Sequence, residues 1–206
     1  WQIDFLRADL ISWHGPIMTG GFLGTVIILE RAIAIRKKWA FIGVIFSGLS
    51  VILFLSGMNQ LISKSLILLS SLNLIIIYLY ALKIDKELHI YTQITGAFFW
   101  LIGNILWIYG YYLSHVSLWW IAFLLFTISG ERLELSKLKQ FSNISKNIFI
   151  SSILLTTISL FSTFYSFNIG SRLLGISFFI FMTWFFKYDI AINMLRNKGL
   201  TKFIAI

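Results

Sequence analysis

Trp13-His-Gly-Pro-Ile-Met-Thr-Gly-Gly-Phe-Leu-Gly-Thr-Val-Ile-Ile-Leu-Glu-Arg-Ala-Ile-Ala-Ile35 decides how the rest of the chain is read. From His14 to Ile35 a helix rising ~1.5 Å per residue reaches ~33 Å, about the hydrocarbon thickness of a bilayer. The stretch reads as a membrane-spanning helix with a histidine at its head, glycines along its length and the charge pair Glu30-Arg31 near its foot.

The surrounding chain has the same character. Apolar residues make up 58% of the 206, charged residues only 12%, and mean hydropathy is +0.86, so the outer surface of the fold must face lipid. Apolar runs recur at about 39–56, 65–82, 88–111, 116–135, 147–167 and 172–186, separated by basic or turn-forming segments. Together with the first they predict an all-α fold, a polytopic transmembrane helical bundle of about seven spans in one domain covering residues 14–206. Residues 1–13 mix Trp1, Phe5, Leu6 and Leu10 with Asp4, Arg7 and Asp9; they are too short and too charged to span, and fit an interfacial amphipathic helix. The chain lacks a starting methionine, and apolar residues resume at its end (Phe203-Ile-Ala-Ile206). A further helix is therefore expected on each side.

The net charge of +9 does not point to nucleic acid, because the lysines and arginines punctuate apolar runs instead of gathering on a polar face. It reads as a topology signal. The segments after spans one, three, five and seven hold 13 of the 17 Lys and Arg residues, whereas the opposite face has Arg7, Lys64 and Arg172. By the positive-inside rule the basic loops are cytoplasmic and the N-terminus lies outside, in the cell (inner or plasma) membrane. The absence of cysteine removes disulfides, thiolate nucleophiles and cysteine-ligated clusters. No phosphate-cradling loop or Ser/His/Asp spacing is present.

Two groups of residues could carry chemistry. His14 stands at the outer mouth of the first span with Met18 one turn below it, and His115 lies on the same side between the fourth and fifth spans; imidazole and thioether can ligate haem iron or copper. Gly20, Gly21 and Gly24 would admit either a flat macrocycle or a neighbouring backbone. At the other end Glu30 and Arg31 lie in the membrane at the depth of Glu131, Arg132 and Glu134, which suggests a paired network across helices, either a clamp on register or a proton relay or propionate-anchoring site. His89 and Asp189 could join it. Asn73, Gln93 and Asn104 fit interhelical hydrogen bonds. Trp100, Trp107, Tyr111, Tyr112, Trp119 and Trp120 read as an interfacial belt.

The string Trp13-His14-Gly15-x-x-Met18-x-x-Gly21-Phe22 resembles the His-Gly-x-x-Met helix of haem–copper oxidase subunit I and the Trp-His-x-x-x-Met-x-x-Gly-Phe helix of the NnrS nitric-oxide-response membrane family. Leu29-Glu-Arg-Ala32 and Gly130-Glu-Arg-Leu-Glu-Leu-Ser-Lys137 resemble segments of an uncharacterised polytopic membrane family with the same helix. The resemblance implies a b-type haem or a copper ion at His14, with Met18 or His115 as partner, and redox or nitrogen-oxide chemistry. Three histidines in all leave too few ligands for the copper centre of an oxidase. The competing expectation is a non-catalytic accessory subunit of a larger respiratory or metallo-oxygenase complex, with the lipid bilayer and other membrane subunits as its partners.

Overall fold

The structure, a computed structural model, describes residues 13–57, 59–135 and 142–188. Seven helices follow one another: α1 Trp13–Ile35, α2 Lys38–Leu55, α3 Gln60–Ile84, α4 Leu88–Ile108, α5 Leu113–Leu135, α6 Asn143–Tyr165 and α7 Phe167–Tyr188. No strand occurs among the described residues. All but α4 are long and apolar enough to cross a membrane. The exception is 21 residues long and carries His89, Gln93 and Asn104, which are only 5%, 1% and 0% exposed. Its neighbours cover its polar groups, so lipid need not solvate them. The chain is an all-α helical bundle with the makeup of a multi-pass membrane protein.

Local chemistry accounts for the helix ends. Arg36 closes α1 in the left-handed region at φ 53°. Gly57 at φ 68° turns the chain toward Asn59, whose side chain caps α3 by accepting from the Leu61 N–H at 2.9 Å. Ser142 caps α6 in the same way, accepting from the Ser145 N–H at 3.2 Å. Two connections differ from those expected. His115 and Ser114 lie inside α5, and the turn is made upstream around Gly110 at φ 84°. Asn168-Ile-Gly-Ser171 is helical as well, the break falling at the extended Ser166. Gly170 serves close packing there: a Cβ on it would lie 2.5 Å from the Thr163 nitrogen.

The expected interfacial segment lies outside the described residues apart from Trp13, which already belongs to α1. Lys137, Lys139 and Asp189 lie outside them too. Contacts divide the chain into two compact units, Trp1–Thr127 and Ile128–Ile206, so that the boundary falls within α5.

In the first unit, Trp13 at the start of α1 meets Phe54 at the end of α2 (4.7 Å between ring centroids) and Trp107 at the end of α4 (6.2 Å). Trp107 in turn meets Trp120 near the start of α5 at 5.5 Å. Consecutive helices therefore run antiparallel, as their short connections require. Trp39 and Tyr80 pair at the opposite, basic end at 6.0 Å. The indoles are core residues and not the expected interfacial belt: Trp100, Trp107, Trp119 and Trp120 are 0–5% exposed, whereas Tyr111 and Tyr112 remain open at 47% and 80%. Glycine makes this possible. A Cβ on Gly24 would lie 2.6 Å from Trp100 and one on Gly103 2.8 Å from Trp120, so each missing side chain is the notch that seats an indole.

In the second unit α6 and α7 pack through hydroxyl-bearing residues. Ser145, Ser152, Thr156, Ser159 and Thr163 form the buried face of α6. Their spacing of three, four and seven residues is that of one helix stripe. Most of these hydroxyls donate to a carbonyl one turn back, as Ser152 does to Phe149 at 2.7 Å, which satisfies them without water. Across the contact Thr156 and Ser177 share a hydrogen bond of 2.9 Å, and the Trp184 Nε1 donates to the Ser145 carbonyl at 2.9 Å.

Candidate functional site

The first turns of α1 depart from α-helical geometry. Ile17–Leu23 is a π-helix of seven residues, and the Gly24 N–H donates to the Thr19 carbonyl, five residues back. A π-helix bonds from i to i+5 instead of i+4, and hydroxyls add further donors to its carbonyls here. Ser47 of α2 donates to the Gly20 carbonyl at 2.7 Å, and the single Thr25 proton has two acceptors in reach, the Gly21 carbonyl and the Ser47 hydroxyl at 2.8 Å. Pro16 just before the segment and the side-chain-free Gly20 and Gly21 within it permit the distortion. Both glycines are contact points: a Cβ on Gly20 would lie 2.9 Å from Ile67, and one on Gly21 would collide with Val51.

The packed face of α1 therefore holds Gly20, Gly21 and Gly24, and His14 and Met18 stand on the other side. His14 is exposed and Met18 is 41% exposed. His115 is half-buried in the first turn of α5. Between the two helices runs a groove of about 190 Å³ lined by Gly15, Pro16, Thr19, Leu113, Ser117 and Trp120 among others. Neither imidazole lines it. It is smaller than the ~300–1,000 Å³ of small-molecule sites, so the groove itself cannot enclose a macrocycle. The donor chemistry of His14 and Met18 suits a soft ion such as copper, or an axial position on a haem that another surface also holds.

Next to these residues, at the aromatic end, the Lys64 ammonium lies 4.9 Å from the centroid of Trp107. Such cation–π contact, with the lysine stem laid along apolar neighbours, lets a charge sit within the first turns of a spanning helix.

The charged residues at the foot of α1 and at the end of α5 belong to two different units. Glu30 receives Arg31 of its own helix at 3.2 Å, with the carboxylate side chain 55% exposed. Glu131 and Glu134 are half-buried and Arg132 exposed near the end of α5, in the second unit. Of the three amides, Asn104 makes the expected interhelical bond, accepting from the Trp120 Nε1 at 3.1 Å. Asn73 Oδ1 and Gln93 Nε2 are buried with no hydrogen-bond partner among the described residues.

A cluster that the span-by-span reading did not assemble lies at the basic end. Asp85, Glu87 and His89 bring one donor atom each to within 4.8 Å of one another. The signal was their alternate spacing in Asp85-Lys-Glu-Leu-His89, because residues two apart share a side of an extended chain.

Compared with known proteins, the family model described as "Domain of unknown function (DUF8744)" matches residues 2–206. No curated protein and no solved structure matches the chain.

Proposed function

Starting from DUF8744, the family to which the chain belongs along residues 2–206, we propose that it is a non-catalytic, multi-pass subunit of a larger membrane assembly. One observation carries this reading: the middle of the first unit is filled with rings. Trp100, Trp119, Phe123 and Phe126 are 0% exposed, and Trp100 lies flat on Phe123 at 4.8 Å and 7°. Bulky side chains thus occupy the region where a transporter or membrane enzyme would keep a polar site. Outward, α1 presents Met18, Phe22, Val26, Leu29 and Ile33, each 38–58% exposed, as one apolar stripe fit for lipid or a neighbouring helix. Purification from native membranes in mild detergent, followed by intact-complex mass spectrometry, is expected to show stoichiometric partner subunits. A stable monomer without partner subunits that carries haem or copper overturns the proposal.

The π-helical segment favours a second reading, because such insertions often lie at functional sites and this one starts between His14 and Met18. In it the two residues offer their exposed side to haem or copper, shared with a partner, in redox or nitrogen-oxide chemistry. A reduced-minus-oxidised spectrum and copper analysis of the native complex test it. Haem bands or copper that disappear in His14→Ala support it, and their absence from the native complex ends it. In both readings the charge distribution orients the basic end toward the cytoplasm.

A further inference from the structure

We propose that Asp85, Glu87 and His89 form a binding site for a divalent transition metal, of the Zn²⁺ or Mn²⁺ class, separate from His14. The backbone builds it. Asp85 ends α3 in extended conformation (φ −138°, ψ 124°), and Glu87 is extended too (φ −96°, ψ 159°). This alternation sends both carboxylates to one side of the connection and Lys86 to the other. His89 then enters the first turn of α4 and folds its ring back toward them. Its Nδ1 stands 3.5 Å from Glu87 Oε2.

The distances suit an ion. Three ligands at ~2.1 Å in a tetrahedral shell are ~3.4 Å apart. The His89–Glu87 separation of 3.5 Å already matches. The widest separation in the group, up to 4.8 Å, closes by rotation of carboxylate side chains, of which that of Glu87 is 51% exposed. One imidazole and two carboxylates form a mixed N/O donor set, which selects borderline and hard divalent ions over the soft Cu(I) that thioether favours. Three protein ligands leave a position for water.

A separate observation also points to a ligand there. Gln93 lies one turn above His89 and is 1% exposed, yet its Nε2 has no hydrogen-bond partner among the described residues. Gln93 and His89, four residues apart, share a face of α4, and helical side chains lean toward the N-terminus, the direction in which His89 lies. The amide can donate to a metal-bound water, the outer-shell contact that such sites require. His89 itself is 5% exposed, which fixes one ligand in a rigid wall while the carboxylates come from the open side.

The test uses the full chain in detergent, stripped with chelator and titrated with Zn²⁺ and then with Mn²⁺ alone by calorimetry, with bound metal counted after desalting. One equivalent of at least one of the two ions is expected. Glu87→Gln changes an exposed residue and keeps the fold, and it should weaken binding at least tenfold, as should Asp85→Asn. His14→Ala should bind as the parent does, which separates this site from the reading of α1. Co²⁺ soaked into the parent should give visible d–d bands that Glu87→Gln loses. Failure of both ions to bind, or equal binding by Glu87→Gln, overturns the proposal and leaves the two carboxylates as partners of the basic connection.

Discussion

The Ser47 hydroxyl of α2 donates to the Gly20 carbonyl of α1 across 2.7 Å, at the point where α1 is π-helical. A polar residue of one span thereby supplies a side-chain donor to the distorted backbone of another. Replacing Ser47 by alanine should leave that carbonyl without its donor in an apolar surrounding. Interhelical hydrogen bonds of this kind average ~0.6 kcal/mol and reach ~1.7; the upper part of that range is expected, because Ser47 is 0% exposed and no water replaces it. Unfolding of Ser47→Ala by titrated denaturing detergent, set against the parent, measures the loss. A variant as stable as the parent would show that the π segment holds without the hydroxyl.

Two glycines of neighbouring helices should respond in opposite directions to the same added methyl group. At Gly24 a Cβ meets the Trp100 ring at 2.6 Å, and that ring is pinned against Phe123. Overpacking costs ~1–3 kcal/mol, so Gly24→Ala should lower the unfolding midpoint. At Gly48 nothing lies within 4 Å of the added carbon. There the gain in helix propensity, up to ~1 kcal/mol, should stand alone and raise the midpoint. The pair of thermal melts in one detergent tests the notch reading without depending on absolute stability.

The same contrast explains which parts of the fold sequence could reveal. Apolar runs and basic punctuation place seven helices because lipid imposes one length and one polarity on every span. What a residue does inside the bundle depends on its neighbours in three dimensions. Lys64 looks like a flanking charge, with α3 expected to start after it at Ser65; the helix instead begins at Gln60, capped by Asn59, and the Lys64 ammonium inside it rests on the Trp107 ring. Gly170 looks like a turn residue and is a packing notch against Thr163. The tryptophans look like a belt, since nothing local shows that Gly24 and Gly103 will seat two of them. At the head of α1 the sequence marks His14, Met18 and the glycines, but only coordinates show that the glycines face the bundle while the two donors stand outside it.

In the second unit, the Thr156–Ser177 bond at 2.9 Å is the buried hydroxyl pair joining α6 and α7. Each hydroxyl has a single proton and a second possible acceptor, the Ser152 carbonyl at 2.8 Å for Thr156 and the Leu174 carbonyl at 3.1 Å for Ser177, so one of the two donates across the contact and the other to its own helix. Each hydroxyl thus keeps a backbone partner if the other is removed, and the coupling should be small. A double-mutant cycle with Thr156→Val and Ser177→Ala is expected to give a coupling of ~0.6 kcal/mol, near the average for membrane helices. A value above ~1.7 kcal/mol would mean that the pair, and not the packing of small residues around it, holds the two helices together.

Orientation can be read directly because the chain has no cysteine, so a single introduced thiol is the only one. Lys38 is exposed at the basic end, and Tyr112 is 80% exposed at the aromatic end. The aromatic contacts Trp13–Phe54 and Trp107–Trp120 put the starts of α1 and α5 with the ends of α2 and α4, so the two positions are on opposite sides of a bilayer crossed by these helices. The bias of 13 basic residues to 3 favours a cytoplasmic basic end. On intact cells a membrane-impermeant maleimide should label Tyr112→Cys and spare Lys38→Cys until the membrane is opened. The reverse pattern would invert the topology and put His14 inside the cell, where the NnrS-like and oxidase-like expectation of an outer-facing ligand could not hold.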